Sequence, residues 1–206
     1  YINRNASNQA FIAKSENAFI ENITFNNPSV QGFQTNINHT AICSAETENS
    51  TINNCIITNA YVKGVIKIGM ISGSIKNTKV CNCYIDGNIH GQAVIGGISG
   101  ETYNSSLIVN SNFTGNITYA DIPAYYVSLT GGITGRMYDS DIWNCNHEGI
   151  IQVEKDYIGG IVGKTENSNI VNCGSEGAIG DSIDQTNQYV GGISGYMLNS
   201  SIEKSY

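Results

Sequence analysis

The chain is short of charge. Lys, Arg, Asp and Glu make up 13% of its 206 residues, about half the usual share. Ten Lys and Arg stand against seventeen Asp and Glu, for a formal charge of −7. Those ten are scattered, which argues against a nucleic-acid partner, because phosphate binding needs clustered cations. No apolar run approaches the roughly 20 residues that span a bilayer, so no membrane insertion is expected of this segment. Only two prolines are present, and no window sustains an apolar i, i+3, i+4, i+7 pattern, so helices are not expected either. The chain opens at Tyr1 rather than Met and carries no signal-like segment, which predicts a processed product or a fragment of a longer repeat protein.

What fills the space is Asn, Ser, Thr and 23 glycines, around a normal 40% hydrophobic content. Short β-branched bursts such as "IVNC" and "AVIGGI" alternate with Asn, Ser and Gly, which reads as all-β. The bursts repeat. Gly96 begins "GGISGETYNSSLIVNSNFTGNI", Gly131 "GGITGRMYDSDIWNCNHEGII", Gly159 "GGIVGKTENSNIVNCGSEGAI" and Gly191 "GGISGYMLNSSIEKSY". Gly69 opens a looser copy, and Ala41 and Ala10 open two degenerate ones. A spacing of about 27 to 35 residues over residues 1–206 indicates one solenoid domain.

Columns of equivalent residues emerge. One apolar column is Phe11, Ile42, Ile71, Ile98, Ile133, Ile161 and Ile193; another is Ile20, Ile52, Val80, Ile108, Ile142, Ile170 and Ile202. Asn17, Asn49, Asn77, Asn104, Asp139, Asn167 and Asn199 form a third, followed by Ala18, Ser50, Thr78, Ser105, Ser140, Ser168 and Ser200. A fourth is Asn22, Asn54, Asn82, Asn110, Asn144 and Asn172, closed by Lys204. Asn tolerates the left-handed backbone conformation, so these columns suit corners, where stacked amides can bond along the column. A lone unit could not bury its apolar face, whereas stacked units bury a continuous core. The fold expected is a parallel β-solenoid of about seven coils with Asn ladders at its corners; the alternative is a β-propeller, whose blades need longer units. These "GGI[ST]G" and "GGIVG" stretches, each followed by Asn-Ser and an apolar burst, resemble the GLUG repeat, with Ile98 of Gly97-Ile98-Ser99-Gly100 standing at the Leu position. That resemblance implies an accessory region of a large secreted or cell-surface protein. It specifies a repeat and no activity.

Candidates for chemistry are weak beside this pattern. Gly159 to Thr165 has glycines and Lys164, but not the phosphate-loop spacing. Cys55, Cys83, Cys145 and Cys173 share one register with Ile23, Ser111 and Ser205, which reads as a buried column of free thiols, the alternative being a bridge between Cys55 and Cys83 or between Cys145 and Cys173; Cys81 and Cys83 lack the partners of a zinc site. His39, His90 and His147 fall in different registers and read as surface residues, with no catalytic arrangement around them. Glu16, Glu48 and Glu166 share a register, but no three carboxylates fall together on adjacent coils. No cofactor or metal is called for. The insertion "ITYADIPAYYVSL" carries Tyr119, Asp121, Tyr125 and Tyr126, residue types suited to sugar or protein contacts. Eight Asn-x-Ser/Thr sequons occur, and Asn112 and Asn116, read as loop residues, are the best candidate acceptors for N-glycosylation.

The function expected is therefore non-enzymatic: a structural or adhesive region of an extracellular or cell-surface protein, stalk or fibre-forming through end-to-end contact with other repeats or copies of itself. Its loops would meet host or matrix glycans or proteins. The alternatives are a polysaccharide-binding or polysaccharide-processing β-helix, which needs clustered carboxylates, and an ice-binding protein, which needs paired outward Thr columns.

Overall fold

Two corners of each coil are set by a residue that accepts a positive φ. The two asparagine columns adopt it throughout, from 44° at Asn77 to 58° at Asn22, including Asp139 at 49° and Lys204 at 51°. Only short strands fit between such corners. In the computed structural model, which describes residues 2–3, 8–32, 39–119, 127–153, 157–180 and 189–206, one coil runs as follows. Val94–Gly96 lies in sheet I, Ser99–Tyr103 in sheet II, Leu107–Val109 in sheet III, and Asn112–Thr114 with Ile117–Tyr119 in sheet IV. Equivalent strands of successive coils pair in parallel register, Val80 with Ile108 and Ile142 with Ile170 for example.

Sheets I, II and III hold seven strands each and sheet IV ten. Seven stacked strands enclose six complete turns, so the chain is a parallel β-solenoid. A propeller is excluded, because its blades pair antiparallel strands. Among the described residues there is no helix, and hence none long and apolar enough to cross a membrane.

The apolar columns fill the interior. Ile52, Val80, Ile108, Ile142 and Ile170 are wholly buried, as are Ile71, Ile98, Ile133 and Ile161. Sheet IV adds Ile57, Ile85 and Phe113. The ends are open: Phe11 is 66% exposed and Ile202 38%, although both keep their register. Two glycines show why the motif needs them. A Cβ on Gly97 would stand 2.2 Å from the Phe113 ring, and one on Gly100 would stand 2.6 Å from the Ile68 nitrogen of sheet I. The motif's Ser or Thr has its own task, since Ser72, Ser99 and Thr134 are buried and donate to the carbonyls two residues on, of Ser74, Glu101 and Arg136.

Two sequence expectations need correction, and a third feature adds to them. The hydroxyl following Asn104 in register is Ser106, not Ser105, because Ser105 is an extra corner residue with its own positive φ of 60°. Its insertion lengthens that one corner without disturbing the strands on either side. His147 is buried, not superficial: it follows Phe113 in the inward column of sheet IV and stacks on its ring at 5.6 Å. A third bend, inside sheet IV, also went unread; Asn27 and Asn59 make it in the early coils and Gly87, Gly115, Gly149 and Gly177 in the later ones, all with positive φ.

Candidate binding face

Most of the polar groups singled out from the sequence are spent on neighbouring coils. At the corner between sheets III and IV the amide ladder runs from Asn172 to Asn144 (2.8 Å), Asn144 to Asn110 (3.1 Å) and Asn110 to Asn82 (3.3 Å). Asn54 donates to Asn22 at 2.7 Å. At the corner between sheets II and III, Asn77 donates to Asn49 and Asn167 to Asp139, while Asn104, Asn199 and Asn17 keep the corner conformation.

Inside the II–III corner runs a second, continuous ladder. The backbone N–H of Ala18 donates to the Ser50 hydroxyl, Ser50 to Thr78, Thr78 to Ser106, Ser106 to Ser140, Ser140 to Ser168 and Ser168 to Ser200. Each hydroxyl in turn donates to a carbonyl of its own coil, as Ser140 does to Tyr138 and Ser168 to Glu166.

The cysteine column is the same device at the III–IV corner. All six cysteines are free and buried. The Cys83, Cys145 and Cys173 thiols donate to the carbonyls of Cys81, Trp143 and Val171, and Ser111 and Ser205 do so with hydroxyls. Backbone N–H groups of the preceding coil reach the sulfurs: Ile23 to Cys55, Cys55 to Cys83, Ser111 to Cys145 and Cys145 to Cys173. This explains why Cys and Ser exchange freely there. Burial pushes the Cys145 thiol up, and a buried, protonated thiol is a poor nucleophile.

A group of charged and aromatic side chains stands together on sheets I and II. Glu101 is 5% exposed and holds two cations from neighbouring strands, Lys67 at 2.7 Å and Arg136 at 3.5 Å. Arg136 lies 4.9 Å over the Tyr138 ring, which stacks on Tyr103 at 5.2 Å. Burial, with Glu101 second, raises the Tyr103 hydroxyl to about 12. Farther along, Tyr157 and Tyr189 stack at 4.9 Å, Tyr196 meets both edge-on, and Lys164 lies over the Tyr196 ring. The later coils thus carry an aromatic and cationic strip.

Ion pairs run along the whole face, Lys14 with Glu16 and Lys76 with Glu48 in the early coils and Lys164 with Glu166 in a later one. In the early coils His39 is bonded to Asn8 and held near 4 by burial and by Lys67. Beside this face the II–III corner forms a shallow cleft of about 680 Å³, lined by Asn17, Asn49, Asn77, Thr51 and Lys79. The Tyr strip went unread because sheets I and II are adjacent only in three dimensions, although Tyr103 and Tyr138 share a column legible in the repeats.

The insertion fares differently. Tyr119 closes a sheet IV strand and packs on the core, while Asp121, Tyr125 and Tyr126 lie outside the described residues. Asn112 opens a strand rather than a loop. Its side-chain oxygen accepts from the Asn146 N–H, and that of Asn116 from the Ile150 N–H. Among the described residues no three His, Cys, Asp or Glu are grouped so as to hold a metal ion. Comparison with known proteins gives no matching family model, no matching curated protein and no matching solved structure.

Proposed function

We propose that the chain is a non-enzymatic structural and adhesive region of an extracellular or cell-surface protein, a stiff stalk of GLUG-like repeats that stacks with further repeats and displays its outer faces to glycans or proteins. One observation carries this reading above the others. The inner ladders link all seven coils at both asparagine corners, so the repeated residues are occupied in joining coil to coil. Variation is left to the outward columns, where the tyrosine and ion-pair strip stands. The tyrosine rings of that strip stack as Tyr103 on Tyr138 and Tyr157 on Tyr189, and tyrosines with an apolar body and a polar tip suit such contacts. A glycan and matrix-protein array probed with the chain tests the reading. Binding that is lost in Tyr103→Ala/Tyr138→Ala supports it, and cleavage of any arrayed polysaccharide by the chain overturns it.

A further inference from the structure

The inner ladders have a direction, and it tells the two ends of the solenoid apart. In both, the N–H of one coil donates to the hydroxyl or thiol of the next coil toward the C-terminus, from Ala18 to Ser50 at the start and from Cys173 to Ser205 at the finish. A coil therefore needs such side chains only where another coil donates to it. The first coil has Ala18 and Ile23 at these positions, which can accept nothing. The seventh has Ser200 and Ser205, and their own N–H groups stand where the series calls for an eighth pair of acceptors.

Packing leaves both ends partly open, and it is the ladders that tell them apart. Ile170 and Ile158 are wholly buried, yet Ile202 and Val190, their successors in register, are 38% and 49% exposed. At the opposite end Ile20 is only 5% exposed, and the Ser29–Gln31 edge of sheet IV is already paired with Ile2–Asn3. Phe11, edge-on to Phe25 at 5.5 Å, and Phe19 are exposed there, and Ile12 and Ile23 are only partly buried.

We propose that the C-terminal end of the solenoid is a docking surface for one kind of partner: a further parallel coil that brings Ser, Thr or Cys to both inner corner positions. The first coil of a second copy does not fit. It would bury the Ser200 and Ser205 N–H groups against Ala18 and Ile23, and a buried donor without an acceptor is the costly case. In the same register Glu203 would face Glu21, like charge on like charge. The proposal rests on the scaffold reading for the premise that coils add at this end.

Amide hydrogen exchange tests it. Tyr206 sits one turn beyond Gly174, so a copy of residues 175–206 appended after Tyr206 supplies one more coil with both hydroxyls. A second extended chain carries Ser200→Ala and Ser205→Ile in the appended copy only, reproducing the first coil. The native Ser200 and Ser205 amides should exchange about ten-fold more slowly in the first extension. They should stay fast in the second, and in the unextended chain at every concentration. Protection that appears on concentrating the unextended chain would make a second copy the occupant and overturn the proposal. Equal slowing in both extensions, or none in either, also overturns it. Urea unfolding of both extended chains verifies that each remains folded. A failed glycan array would strike the adhesive reading and leave this result untouched.

Discussion

The two asparagine corners solve one problem with different chemistry. Each turns on a positive-φ residue in all seven coils. At the III–IV corner the amides join continuously from Asn82 to Asn172, over an inner column of mixed thiols and hydroxyls. At the II–III corner the inner column after Ala18 is all hydroxyl and unbroken, but the amide ladder is interrupted where Ser105 is inserted. The interruption leaves the strands in register on both sides, Lys79 with Leu107 and Leu107 with Asp141. Register therefore depends on the backbone conformation and the inner ladder, and the outer amides add to it.

The largest effect that would break this comparison is expected at the inner ladder. Ser140→Ala strands the Ser106 N–H and the Tyr138 carbonyl inside the solenoid, and an unsatisfied buried group costs about 1–3 kcal/mol. Urea unfolding should show that loss, and a change below about 0.5 kcal/mol would deny the hydroxyls their role. Cys145→Val at the other corner should cost less, about 1 kcal/mol, because a thiol is a weaker partner. Cys145→Ser should be nearly neutral by the same measurement, since Ser111 and Ser205 already serve in that column.

The outer amides come next. Asn144→Gly keeps the corner conformation but deletes bonds to Asn110 and Asn172, for a loss of about 0.5–1 kcal/mol in thermal unfolding. Asn104→Gly has no such bonds to lose and should fall well short of that. The smallest effect runs the other way. Deleting Ser105 makes its corner match the others and brings Asn77, Asn104 and Asp139 into ladder distance, a gain of about 0.5 kcal/mol. A loss on deletion would show that the insertion is needed for the corner to close.

Much of this was legible before any coordinates. The period, the apolar columns and the asparagine corners follow from residue types that recur at fixed offsets, because a coil tolerates only inward apolar groups and positive-φ corner residues there. Ser105 was misread because two adjacent serines are equivalent in sequence, and only the Thr78 N–H chooses Ser106. His147 was misread because its column alternates Ile85, Phe113, His147 and Ser175, too varied to look inward. Glu101 and the tyrosine strip escaped because strands far apart in sequence supply their neighbours.

The sequence by itself determined the repeat, the corners and the stacking, since each is a local requirement restated in every unit. Only the tertiary structure decided what the restated polar groups are for. The N–H of one coil and the hydroxyl or thiol of the next lie some thirty residues apart, and no local rule gives their bond a direction. That direction, set by which coil lies on which side, distinguishes an end that accepts nothing from an end that still has donors to offer.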